Sequence, residues 1–279
     1  MLRYFTAIIL LLVTLSLKSQ VVYEHITNEN IYQFLDELAN EKWIEINGVV
    51  KPYSRVFIAA KLQEAQAFQG QMSSRQAKEL DFYLKGFALE VNEKLTLNPK
   101  INILKKTKGF GVDINPLGGF YKDKLFSFQI QPLYGYHLYK NDNGQQSFSY
   151  GGFQGYAYIG KHNGVYASLR DHHYSEVFNT VDFLNPNPGG NFKGSAKGGV
   201  DWSEMRGGVT FQWNWGEIGV IKDHFTWGNN NHGANIFSGK QPSFAQISIK
   251  IKPAYWLEYN YVHGWLVSEV VDSARSYWD

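Results

Sequence analysis

The 279-residue chain contains no cysteine. That excludes a disulfide framework, a thiolate metal site and a thiol nucleophile. Charge of one sign is also missing: 27 Lys and Arg stand against 25 Asp and Glu. Neither a nucleic-acid-binding face nor a polybasic membrane patch is expected from so even a balance. No apolar run after the first twenty residues approaches the length a spanning helix needs. The mature chain is then either soluble outside the cytoplasm or a β-barrel, the one other backbone arrangement that satisfies its polar groups in lipid. Enzymatic motifs are absent as well. There is no Gly-x-Ser-x-Gly elbow, and "GGNFKGSAKGG" lacks the strand and Lys-Ser/Thr context of a phosphate loop. Paired carboxylates cannot be located from sequence, which leaves a glycosidase as the open enzymatic class. The reading taken is non-enzymatic, with no cofactor.

What is abundant points to β-structure. Aromatic residues make up 16% of the chain and glycine occurs 27 times against 8 prolines. Tyr, Trp and Phe at this level favour strands and half-wet interfaces.

Residues 1–19 have the form of an export signal. Arg3 supplies the positive region, Phe5 to Leu17 the apolar region, and cleavage is expected after Ser19. The alternative, an uncleaved anchor, fits the short apolar region less well.

Residues 20–106 form a first part with a helical period. Ile31, Phe34, Leu35 and Leu38 recur at i, i+3, i+4 and i+7. Ser54 after Pro52 is a candidate N-cap before Ile58, Leu62 and Ala65, and Ser74 a candidate cap before Ala77, Leu80, Leu84 and Phe87. Three short helices are predicted, with "WIEING" as connector. The stretch from Ile31 to Leu62 resembles one S-layer homology repeat, which implies cell-wall contact; a plain small-bundle core produces the same stripes.

From residue 107 the period becomes two. Phe126, Phe128, Ile130, Tyr134, Tyr136 and Leu138 share one face of a run whose other face carries Ser127, Gln129, Gln131 and His137. Val209, Phe211, Trp213 and Trp215 alternate with Arg206, Thr210, Gln212 and Asn214. Ala245, Ile247, Ile249 and Ile251 alternate with Gln246, Ser248 and Lys250, and Tyr255, Leu257, Tyr259 and Tyr261 with Glu258 and Asn260. A soluble sandwich also alternates. Three features favour an outer-membrane barrel. Strands reach the roughly 9 to 11 residues that cross a bilayer at a tilt. Charged and amide side chains lie mid-strand on the polar face, and aromatics cluster at strand ends.

Loop lengths agree. Lys161 to Gly164, Gly216 and Pro253 mark tight turns, whereas His173 to Glu204 and Phe225 to Phe244 are long links, expected outside. About seven strands follow Leu125, an odd number that cannot close a single-chain bacterial barrel. Residues 107–279 are therefore expected to be the N-terminal part of a barrel. Pro116 and the glycines around it argue against a further strand over Gly109 to Phe120.

Several segments carry a family resemblance: "YIGKHNGVYASLRDHH", "SEMRGGVTFQWNWGEIGVIKDHFTWGNNNHGANIFSGKQPSF" and "LEYNYVHGWLVSEVVDS". The chain resembles the Wzi-type capsule assembly proteins, in particular their RemB-like, gliding-motility-associated branch. Trp227, Gly228, Ile236, Ser238, Pro242 and Ser243 match the family pattern of a Trp-Gly pair, an Ile-x-Ser element and a Pro-Ser strand opening. "HFTWGNNN" departs where better-known members have a second Trp and a Pro. The resemblance implies an outer-membrane barrel with a helical periplasmic plug, extracellular loops and a role in attaching surface polysaccharide. Its alternatives are a gliding or adhesion platform with protein partners and, less well supported, a diffusion pore; aromatics at inward positions such as Tyr166 and Trp256 argue against an open pore.

The candidate glycan-binding residues follow from chemistry as well. Trp227 offers a flat apolar face, and Asn229, Asn230, Asn231 and His232 offer paired donors and acceptors. Arg170, Asp171, Arg206 and Asp223 are candidates for the lumen below. No metal site is expected: in Asp171-His172-His173 and Asp223-His224, neighbours on a strand point to opposite faces, so each adjacent pair offers at most one ligand inward.

Overall fold

The computed structural model describes residues 20–91, 110–114, 117–142, 144–175, 193–194, 199–228, 236–239, 241–254 and 256–266. The signal-like residues 1–19 lie outside the described residues. The fold is mainly β with a small helical part.

The helical part consists of α1 (Glu29–Asn40), α2 (Arg55–Gln66), α3 (Ser74–Gly86) and the single turn α4 (Ala88–Val91), with the two-residue strand β1 (Val50–Lys51) between α1 and α2. The apolar stripes meet in one core. Ile31, Phe34, Leu35, Leu38, Ile44, Ile58, Leu62, Ala65, Leu80 and Phe87 are all buried in it. Ser54 caps α2 by accepting from the Phe57 N–H. The cap of α3 is Ser73, one residue before the expected Ser74. Counting three on from Ser73 reaches Gln76, whose side chain bonds back to the cap, and the two close a capping box. Three on from Ser74 is Ala77, which has no group to return the bond.

The larger part is one antiparallel sheet. Its main path runs β2 (Phe110–Ile114), β3 (Leu117–Lys122), β4 (Phe126–Asn141), β5 (Gly144–Ile159), β6 (Asn163–Tyr174), β8 (Val200–Trp213), β9 (Gly216–Asp223), β12 (Phe244–Ala254) and β13 (Leu257–Trp265), with β7 (Lys193–Gly194) pairing on β8. From Phe126 on, seven of these are long strands, as the alternation predicted. Residues 110–122 add a hairpin, β2 and β3, where the sequence argued against a strand. Pro116 lies outside the described residues. The tight turns fall at 160–162, 214–215 and around Trp256. Pro253 sits inside β12, at a register shift between Ile251 and Ala254 that absorbs its missing N–H. The last turn therefore comes later than expected, and the exposed Trp256 occupies it rather than an inward position.

The sheet is turned inside out relative to a soluble layer. Its solvent side carries Ile130, Tyr134, Tyr136, Phe153, Val209, Phe211, Ile218, Val220, Leu257, Tyr259 and Tyr261; Tyr134 is 75% and Val220 65% exposed. The opposite face buries Gln129, Gln131, Gln154, Ser168, Arg170, Glu204, Arg206, Thr210, Asp223 and Gln246. Among the described residues no helix is long and apolar enough to cross a membrane.

Residues 20–28 join the two parts. They pass between the polar face and the helices, with residues 21–25 buried, and then turn at 26–27. Val22 and Glu24 face the helices: the Arg55 N–H donates to the Val22 carbonyl (2.8 Å) and the Glu24 N–H to the Tyr53 carbonyl (2.9 Å). Odd-numbered residues face the sheet. Thr210 Oγ1 donates to the Val21 carbonyl and Arg206 Nη2 to the Tyr23 carbonyl (3.0 Å), while at the start of the segment the Gln20 amide donates to the Gly160 carbonyl of a turn (2.9 Å). The chain can lie this close because residue 164 is glycine: a Cβ there would collide with the Val21 backbone.

Candidate functional site

The polar face gathers its charges where residues 20–28 cross it. Arg206 and Asp223, from adjacent strands, are fully buried and bond at 3.0 Å. Asp223 also accepts from Tyr166 Oη (2.7 Å) and from the His224 N–H (2.8 Å). Arg170 donates to Thr27 Oγ1 (2.5 Å) and Asn28 Oδ1 (3.2 Å). On the helical side Arg55 donates to Glu24 (2.5 Å) and Glu90 (2.7 Å) and lies over the rings of Tyr156 and Phe87. Burial by itself would lower the Arg55 pKa, but Glu90 and Glu24 outweigh it and hold it well above the ordinary value. These bonds satisfy buried charges, as a low-dielectric interior demands.

One carboxylate stands apart. Among the described residues Glu204 forms no ion pair with an arginine; it faces three histidines instead. His25 Nε2 lies 2.8 Å from its Oε1, His224 Nε2 contacts the same oxygen, and His172 Nε2 lies 3.6 Å from Oε2. The ligand atoms of His25, Glu204 and His224 all lie within 4.8 Å of one another, and all three residues are buried. Burial, then the nearby Arg206 and Arg170, push His25 well below its usual pKa, so it is neutral.

At the loop end of the same face the rings form a file. His172 stacks on Trp202 (4.7 Å between centroids), Phe148 packs on Tyr174 (4.7 Å) and His172 (5.7 Å), and His137 reaches Tyr139, Phe148 and Tyr150 at 5.7–6.5 Å. Rings on alternate positions of neighbouring strands face each other, which is the cross-strand spacing of an antiparallel pair.

The sequence-derived site residues divide. Arg170, Arg206 and Asp223 do share the inner face, but each is committed to the bonds above. Asp171 lies on the outer face, where it accepts from Ser203 Oγ (2.6 Å). Trp227 lies in the two-residue strand β10 (Thr226–Trp227), half-buried between β1 of the helical part and β11 (Phe237–Ser238), with Phe225 against its ring. The long link after β9 thus begins by folding onto the helical part. Asn229, Asn230, Asn231 and His232 lie outside the described residues. Sequence reasoning missed His25, Glu204 and the ring file. For His172 and His173 the parity argument held: His172 points inward and His173 outward. For Asp223 and His224 it failed, because β9 ends at Asp223 and both residues are buried on the inner side. What it could not see was that His172 and His224, with His25, converge on Glu204.

No protein-family model matches the chain, and no curated protein and no solved structure matches it.

Proposed function

We propose that the protein is an outer-membrane protein of the Wzi type that attaches or organises surface polysaccharide without catalysis. The observation that carries this reading is the inverted sheet with the ring file at its loop end. An apolar face left to solvent over seven long strands is costly in water and fits lipid. Trp213, Trp215 and Trp256 lie near its turn end, where an interfacial girdle belongs. The turn end then faces the periplasm, with the helical part seated on the polar face as a plug, which speaks against an open pore. The stacked rings of His137, Tyr139, Phe148, Tyr150, His172, Tyr174 and Trp202 offer flat faces to sugar C–H groups. Trp227, just after the loop end of β9, contributes at the same end.

Two measurements test it. Fractionated cells should yield the protein in the outer membrane with heat-dependent gel mobility; recovery from the soluble periplasm without that mobility sinks the membrane assignment. The double change Tyr139→Ala and His137→Ala, at half-exposed positions, should raise released over cell-bound polysaccharide at unchanged protein level. Normal retention, with loss of surface motility or adhesion, would move the protein-platform reading ahead.

A further inference from the structure

We infer that His25, His224 and Glu204 form a binding site for a transition-metal ion of the zinc class, with His172 at its edge, and that the ion fastens residues 20–28 to the sheet. This goes beyond the polysaccharide reading and does not depend on it.

The argument starts from donors and acceptors. His224 Nδ1 lies 3.0 Å from the Gln241 carbonyl oxygen, which only accepts, so Nδ1 carries the proton. In the neutral ring Nε2 then presents a lone pair. It presents it to Glu204 Oε1, another acceptor, at contact distance. Two lone pairs do not meet in a buried site: either a second ring proton joins them, or a metal ion holds both groups once they stand further apart. His25 Nε2 points at the same oxygen without the alignment of a hydrogen bond, and among the described residues neither ring nitrogen of His172 has a hydrogen-bond partner. The ligand atoms of the cluster are gathered closely enough, within 4.8 Å of one another, for one metal ion to take several of these lone pairs at once.

Its chemistry selects the ion. Two imidazoles and one carboxylate suit zinc and its neighbours rather than calcium or magnesium, which want oxygen. His172, held by its stack on Trp202, is placed for a fourth position. Thr27 Oγ1, 2.7 Å from His25 Nδ1, is the oriented partner that a metal-bound histidine needs on its other nitrogen. In the ion-free site His25 Nδ1 accepts from the Thr27 N–H (3.1 Å), so Nε2 carries the ring proton; ligation through Nε2 requires that proton to pass to Nδ1, with the N–H bond given up and Thr27 Oγ1 turning to accept. The two guanidiniums nearby do not veto a cation: Arg206 is neutralised by Asp223 and Arg170 points to Thr27 and Asn28. His224 and Glu204 belong to the sheet and its following link, and His25 to the crossing segment, so the ion spans the joint.

The test uses the full chain in detergent, stripped with chelator and titrated with Co2+ as the probe. The expected result is a saturable visible spectrum of four-coordinate cobalt, displaced by one equivalent of Zn2+, with residues 20–28 becoming more resistant to protease as Zn2+ is added. His224→Ala and Glu204→Gln should each abolish the spectrum. Thr27→Val should weaken binding about 10- to 100-fold, as loss of an orienting partner does. His173→Ala, at an exposed histidine on the other face, should leave it unchanged. Stripped wild-type protein that shows no Zn2+-displaced cobalt spectrum overturns the proposal, whatever the variants do. So does a spectrum that survives His224→Ala or disappears with His173→Ala.

Discussion

Arg206→Met is the sharpest test of how the two parts are held. The guanidinium and the Asp223 carboxylate are fully buried. Removing the cation leaves Asp223 two neutral donors, Tyr166 Oη and the His224 N–H, and no counter-charge. It also strips the Tyr23 carbonyl of its partner. Breaking a buried pair from one side costs about 3–5 kcal/mol. At ~1.4 kcal/mol per decade, that raises the undocked population of residues 20–28 roughly 100- to 5000-fold. The double variant Arg206→Met, Asp223→Asn removes both charges. What remains is mainly the orphaned Tyr23 carbonyl, a loss of about 1–3 kcal/mol. The second change should therefore rescue the first. Slow proteolysis at low protease reads this directly, because cleavage then tracks the open population. A single variant that costs under ~1 kcal/mol, or a double variant as damaging as the sum of its parts, refutes the view that this pair carries the joint.

Three further outcomes follow from the structure. Leu62→Ala, at a fully buried position of the helical core, should cost that part about 2–5 kcal/mol in a chemical melt followed by helical circular dichroism, with the strand signal unchanged. Gly164→Val should leave β6 intact, since valine suits a strand, but should expel residues 20–28 and expose them to protease; protection equal to wild type would mean the Val21 backbone does not press on this site. Tyr83 is pushed up to about 12 by burial and then by Glu79, against the usual 10. Its unfolded counterpart sheds its proton first, so the stability it contributes is full below pH 10 and declines as pH rises toward 12. The tyrosinate absorbance lost in Tyr83→Phe should fall near pH 12, and a loss centred at 10 would contradict it.

The periodicities made much of this legible. A strand with one apolar and one polar face writes its alternation plainly, and Val209, Phe211 and Trp213 kept their side. What the pattern could not say is which face is inside, since a soluble sandwich and a membrane wall alternate alike. Residues 20–28 left no signal because residues 21–25 are all buried: Val21, Val22, Tyr23, Glu24 and His25 mix apolar and polar types with no period. The histidine cluster was hidden by distance, its members spread from position 25 to position 224. Parity allowed one inward ligand from each adjacent pair; it held for His172 and failed for Asp223 and His224, because the strand ends at Asp223. The Ser73 cap was readable from Gln76; the turn after Pro253 was not, because a register shift let the strand run past its proline.

The way the inner face divides its charges explains why the crossing segment belongs to the wall. Arg170 and Glu204 are direct cross-strand neighbours in register. Opposite charges in that position ordinarily bond to each other. Among the described residues no ion pair joins these two. Arg170 turns to Thr27 and Asn28, and Glu204 turns to His25 and His224. Each spends its charge on residues 20–28 or on the histidines gathered beside them, and Arg206 does the same through the Tyr23 carbonyl. Three neighbouring charged residues of β6 and β8 thus complete their bonding only with the segment in place. A buried charge left unsatisfied is among the most costly defects a fold can carry. The segment is for that reason a structural layer of the polar face, and the helical part, tied to it by Arg55, Glu24 and Glu90, is held to the sheet through it.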